Sequence, residues 1–116
     1  MILPKFGHIY IIDLEPRVGT KPVQQRPCLC VQPTIFCESG LRSAMMIPLT
    51  TKIIEEDVFP LRVRVKKGTC DLEQDSDLLI NQLLAWDINL IKQDLGAVPE
   101  GLLQLVRVAL KDFLDL

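Results

Sequence analysis

Arg26 stands where a polar, turn-rich loop meets an apolar run, in the stretch "EPRVGTKPVQQRPCLCVQ" over residues 15–32. A guanidinium fixed at the start of a rigid strand can hold a phosphate through two parallel hydrogen bonds, and threonine hydroxyls can donate to the same oxygens. Such partners come in two clusters. Thr20, Lys21, Gln24 and Gln25 lead into Arg26, and Thr50, Thr51 and Lys52 come after a second apolar run. Together they are the parts of a minimal anion site. The commoner duties of an arginine at a strand start are pairing with a carboxylate and covering apolar surface.

Other chemistries lack their residues. A Ser-His-Asp or Cys-His nucleophile needs a histidine base beside it, and His8, the single histidine, opens a candidate strand. No G-x-x-x-x-G-K-[ST] or G-x-G-x-x-G loop is present. The four cysteines, Cys28, Cys30, Cys37 and Cys70, contain one C-x-C pair and no second pair, which does not make a zinc set. They read as small buried apolar side chains in a reducing compartment. Glu55-Glu56-Asp57 and the acids of "CDLEQDSD" read as solvated loop residues. No metal and no cofactor is expected.

The apolar pattern predicts the scaffold for these groups. With 116 residues, 48% of them hydrophobic, one domain over 1–116 is expected. "HIYIIDL" (8–14) reads as a strand, residues 15–25 as a loop punctuated by Pro16, Gly19 and Pro22, and "PCLCVQ" (27–32) as a second strand. Its alternation puts Cys28 and Cys30 on one face and Leu29 and Val31 on the other, so a central position is expected. "SAMMIPL" (43–49) and "VFPLRVRV" (58–65) are the next strands, with Pro60 marking an edge or bulge. "DLLINQLL" supplies a fifth apolar run.

From Pro99 the period changes. Leu102, Leu103, Val106, Ala109, Leu110, Phe113 and Leu114 recur at three- and four-residue steps, predicting an amphipathic helix on the sheet. A shorter helical turn is predicted around "WDINLIKQDLG" (86–96), capped by Asp87 and stopped by Gly96. The fold class is α+β: a compact, largely antiparallel sheet curling toward a barrel, with a C-terminal helix.

The net charge of −2 disfavours a nucleic-acid partner, but the distribution does not. Residues 1–70 carry 10 Lys and Arg against 6 Asp and Glu, whereas 71–116 carry 3 against 9. If the basic residues share a face, it suits an anionic ligand, although a mixed solvated surface gives the same bias. The N-terminal "MILPKFGHIYIIDLEP" breaks its apolar runs at Pro4, Lys5, His8 and Asp13, so neither a signal peptide nor a membrane span is expected. The protein reads as soluble and cytoplasmic.

"GHIYIIDLEPRVG", then "RPCLCVQ", "MIPLTT" and "DSDLLINQ", in that order over nearly the whole chain, resemble the MazF/PemK/Kid family of toxin endoribonucleases from type II toxin-antitoxin systems. The resemblance implies a small, strongly twisted antiparallel sheet of SH3-like barrel type with a C-terminal helix, shared with CcdB. It implies a homodimer, a cognate antitoxin with an acidic segment, and metal-independent cleavage of single-stranded RNA, including mRNA. In that reaction the 2′-hydroxyl attacks the adjacent phosphate and leaves a 2′,3′-cyclic phosphate.

Arg26 matches the family's arginine before proline and Thr50 the threonine of its Pro-x-Thr. The resemblance assigns Arg26 to phosphate stabilisation, with proton donation as a second candidate role, and Thr50 to hydrogen bonding at the scissile phosphate. Thr20, Lys21, Gln24, Gln25, Thr51, Asn81 and Gln82 are the substrate-binding candidates.

Four departures stand out. Lys21 occupies the place of a frequent glutamate, Leu84 that of a frequent arginine, and Asn81 that of an aspartate proposed as a base in one branch. His8 also replaces a usual acid. No residue is marked as the general base, so a weakened or inactive member that binds RNA or antitoxin is the alternative reading. A gyrase poison like CcdB is a third; it depends on a tryptophan-containing C-terminal end, and this chain ends "KDFLDL".

Overall fold

A computed structural model describes residues 1–13 and 24–116. The described residues form seven strands and two helices: β1 (His8–Asp13), β2 (Gln25–Cys30), α1 (Thr34–Glu38), β3 (Ser43–Thr50), β4 (Arg62–Val65), β5 (Ser76–Leu79), β6 (Leu84–Asp87), β7 (Ile91–Ala97) and α2 (Glu100–Leu114). All pairings are antiparallel, in the order β4-β5-β3-β2-β1-β7, with β6 also on β3. The expected α+β fold, a curled antiparallel sheet with a C-terminal helix, is present, and the sheet stays open. β4 and β7 are the two ends of this order and do not pair, so the sheet curls without closing.

Strand alternation splits the buried residues between two faces. Ile9, Leu29, Ile47, Leu49, Val63 and Leu78 point one way and meet Leu103, Val106 and Ala109 of α2. Tyr10, Ile12, Cys28, Cys30, Ala44 and Met46 point the other way, into a smaller core closed by Ile88 and Ile91, with Trp86 packed against it. β2 lies between β1 and β3, the central position its two apolar faces require. Gly7 ties the sheet to the helix. Its N–H donates to the Cys30 carbonyl and its carbonyl accepts from Val98, each at 2.9 Å. With φ +84°, and a Cβ that would lie 3.0 Å from Leu103, the position favours glycine.

Several elements differ from expectation. The "VFPLRVRV" run is strand only from Arg62, after the cis bond at Phe59-Pro60, and it is an edge strand as Pro60 suggested. The turn predicted over 86–96 reduces to one 3-10 turn, Ile88–Leu90; Asp87 does cap it, accepting from Asn89 N–H at 2.8 Å. The next element is β7, whose exposed Lys92, Gln93 and Asp94 lack a strand-like alternation. α1 carried no sequence signal. In α2, Phe113 and Leu114 are exposed, so the buried stripe is shorter than the periodicity suggested. Of the cysteines, Cys28, Cys30 and Cys37 are buried, while Cys70 is half-exposed at a kinked turn with φ 49°.

Candidate RNA-binding site

β3 changes neighbour partway along its length, and the candidate site sits at that change. Ser43–Met46 pair with β6, whereas Leu49 and Thr50 pair with β5. Pro48, which has no N–H to offer a ladder, falls between the two. The chain linking β5 to β6 crosses here as a 3-10 turn, Ile80–Gln82. The result is a cleft of about 300 Å³ lined by Arg26, Pro48, Gln82, Leu83, Leu84 and Trp86.

A polar row runs across the same face. Arg64 pairs with Asp77 across β4 and β5, and Asp77 with Thr50 across β5 and β3. The β2–β3 ladder ends with Cys28 opposite Pro48, and Arg26 and Thr50 each lie two residues beyond that pair on their own strands, on one face by strand alternation. Arg26 in turn pairs with Ile12. Arg26 and Thr50, separated by 24 positions in the chain, thus share one face; Arg26 lines the cleft, and Thr50 follows its Pro48 by two residues.

Arg26 is half-buried, and its guanidinium has no ion pair among the described residues. Thr50 Oγ1 accepts the Lys52 N–H at 3.1 Å, which leaves its own proton for another acceptor. A guanidinium with no ion pair among the described residues, and a hydroxyl proton on the same face, can receive a phosphate while the apolar wall beside Arg26 receives an adjoining base.

The remaining candidates scatter. Gln82 lines the cleft and Asn81 is exposed beside it. Gln24 is exposed, and Gln25 spends its amide on Asp13 at 2.9 Å. Thr51 lies on the opposite side, in a separate cleft with Ile11, Pro27, Glu73 and Gln93. Thr20 and Lys21, with most of the loop expected over residues 15–25, lie outside the described residues. His8 pairs with Asp94 at 3.1 Å, four residues along β1 from the row, or about 13 Å at the rise of a strand. Burial pushes the Cys28 thiol up to about 12 and Cys30 to about 11, so neither supplies a thiolate at neutral pH.

Sequence reasoning missed Asp77. The acids of "CDLEQDSD" read as solvated, yet Asp77 is 2% exposed. It accepts from Arg64 Nε at 2.6 Å and Arg62 Nη1 at 3.2 Å. The signal was the Arg62-x-Arg64 alternation, which sends two cations to one face of a strand. Burial raises the Asp77 pKa, but the hydrogen bonds from Arg64 and Arg62 outweigh it and hold the carboxyl below its ordinary range. Its contribution to stability is therefore complete above the unfolded value, about 3.9, and disappears as pH falls through the lower folded value. Urea midpoints taken from pH 5 to pH 2 should fall more steeply for the native protein than for Asp77→Asn. Parallel curves would show that this carboxylate is not linked to folding.

Comparison with known proteins agrees with the fold. Residues 5–114 match the model of the family described as PemK-like, MazF-like toxin of type II toxin-antitoxin system. No curated protein matches significantly. Among solved structures, a MazE–MazF complex (form II) from Deinococcus radiodurans superposes with TM-score 0.79 at 19% identity, covering 100% of this chain and 99% of that one. An endoribonuclease in complex with its cognate antitoxin from a mycobacterial species gives 0.75 at 19% identity, covering 100% and 97%. The Mycobacterium tuberculosis toxin MazF-mt6 gives 0.75 at 17% identity, covering 94% and 97%. At such identities the likeness is one of fold.

Proposed function

The chain belongs to the PemK-like, MazF-like toxin family of type II toxin-antitoxin systems, and on that premise we propose that it is a metal-independent endoribonuclease acting on single-stranded RNA. The observation that supports this reading is that Arg26, in the cleft with Pro48, Gln82 and Trp86, shares a face of the sheet with Thr50, two residues beyond Pro48. Catalysis requires charge stabilisation as the ribose 2′-oxygen attacks phosphorus and the 5′-oxygen departs. Arg26 meets the non-bridging oxygens with its guanidinium, and Thr50 donates its hydroxyl proton to one of them. The Trp86 ring and the Leu83, Leu84 and Pro48 side chains offer an apolar surface for a base whose sugar-phosphate lies along the polar row.

The same reading implies the partners. The protein acts as a homodimer over a single domain, 1–116, and is neutralised by an antitoxin with an acidic segment that competes for the groove. No helix among the described residues is long and apolar enough to cross a membrane. A second reading, a silenced member that binds RNA or antitoxin without cutting, draws on Leu84. This side chain is 51% exposed at the cleft where many relatives have an arginine.

Incubation with a long unstructured RNA in EDTA separates the two. Discrete cuts bearing 2′,3′-cyclic phosphate ends are expected. RNA left intact while the protein still retains it on a filter would favour the silenced member. Inhibition of gyrase supercoiling would instead support the poison reading.

A further inference from the structure

We propose that Asp77, acting through Arg62, is a positioning residue for the Thr50 hydroxyl, a role that rests on the ribonuclease reading of the cleft. After Thr50 the chain leaves the sheet and returns as β4 at Arg62, with the Leu61 carbonyl already accepting from Ile80, so residues 51–60 lie outside the strand ladders. Asp77 and its two arginines supply the hold. Arg62 Nη1, at 3.2 Å from the carboxylate, also donates to the Lys52 carbonyl at 2.9 Å. Arg64, held through Nε, donates from Nη2 to the Ile54 carbonyl at 2.8 Å, and the Ile54 N–H points back to Asp77 at 3.4 Å.

Lys52 is the link to chemistry. Its carbonyl is fixed by Arg62 and its N–H occupies Thr50 Oγ1 at 3.1 Å. With an acceptor position of the hydroxyl taken, the Thr50 proton is turned away from the loop. Asp77 is itself the cross-strand neighbour of Thr50, so the anchor and the hydroxyl share one rigid ladder. A carboxylate this deeply buried stays ionised only with such partners, which makes the anchor stiff rather than incidental.

An ion cluster that merely stabilised the fold would respond alike to losing either arginine. A positioning device would not, because Arg62 alone reaches Lys52. The test is amide hydrogen exchange at Lys52 together with RNA-cleavage kinetics in Arg62→Met and Arg64→Met. In Arg62→Met, Lys52 exchange should rise about tenfold or more, with Arg64→Met within about twofold of the native protein. kcat should fall about tenfold in Arg62→Met with KM little changed, since a displaced donor is lost mainly from the transition state.

Equal exchange at Lys52 in the two variants would overturn the proposal. Arg62→Lys, which keeps a charge for Asp77 but not the guanidinium fork, serves if Arg62→Met does not fold; it too should release Lys52. Absence of cleavage by the unsubstituted protein would overturn the ribonuclease reading, and the exchange contrast would then decide the clamp by itself.

Discussion

Arg26→Ala is expected, on the ribonuclease reading, to cut RNA at least about 100-fold more slowly than the native protein, a loss of about 2.7 kcal/mol in transition-state stabilisation. The guanidinium is half-buried at the start of β2, unpaired among the described residues and on the face that carries Thr50. A guanidinium held by the strand needs little reorganisation to meet negative charge building on phosphorus. Alanine keeps the Ile12–Arg26 backbone pairing, and the far-UV spectrum and thermal midpoint should change little. Arg26→Lys should recover only part of the rate, because an ammonium cannot match two phosphate oxygens with a planar fork. A variant that cleaves at the native rate would remove Arg26 from the mechanism.

Ile47→Ala carries the largest expected effect on stability. Ile47 is fully buried in the middle of β3, the strand shared by β2, β5 and β6, and it packs among Ile9, Leu29, Leu49, Leu78 and the inner face of α2. Truncation removes buried methyl and methylene groups and leaves a void beneath the helix, costing about 2–5 kcal/mol. Against a domain stability of about 5–15 kcal/mol, this should bring the urea midpoint down by a large fraction without altering the slope. Val108→Ala on the exposed side of α2 should stay within about 0.5 kcal/mol of native. One cooperative transition followed by fluorescence and circular dichroism is expected of a single domain. Two separated transitions would divide the chain.

The parts of the fold that could be read beforehand share a feature. β1, β2, β3 and α2 each bury enough regularly spaced apolar side chains that their period shows in the residues themselves, at 2 for Leu29 against Cys28 and at 3 to 4 for Leu103, Val106 and Ala109. β7 has only Ile91 buried, and two register shifts against β1 interrupt its pairing, so its polar residues carried no period. In the site, Arg26 stood out because of its place before Pro27, and Thr50 because it ends an apolar run. Thr51, the substrate-binding candidate next to Thr50, comes just after the end of β3 and lines a different cleft.

The residues alone set the chemistry available to this protein: one arginine at a strand start, one threonine at a strand end, no histidine near either in the pattern, and thiols suited to burial. They also set the family, through the order of short motifs rather than any one of them. It took the folded chain to bring Asp77, read as solvated, beneath the sheet surface between Arg62 and Arg64. Folding likewise opens the cleft where β3 exchanges β6 for β5. The division has a physical cause. Side-chain period and turn propensity act over a few neighbouring residues, whereas which strands pair, and so which charges face each other, is fixed by contacts between residues far apart in the chain.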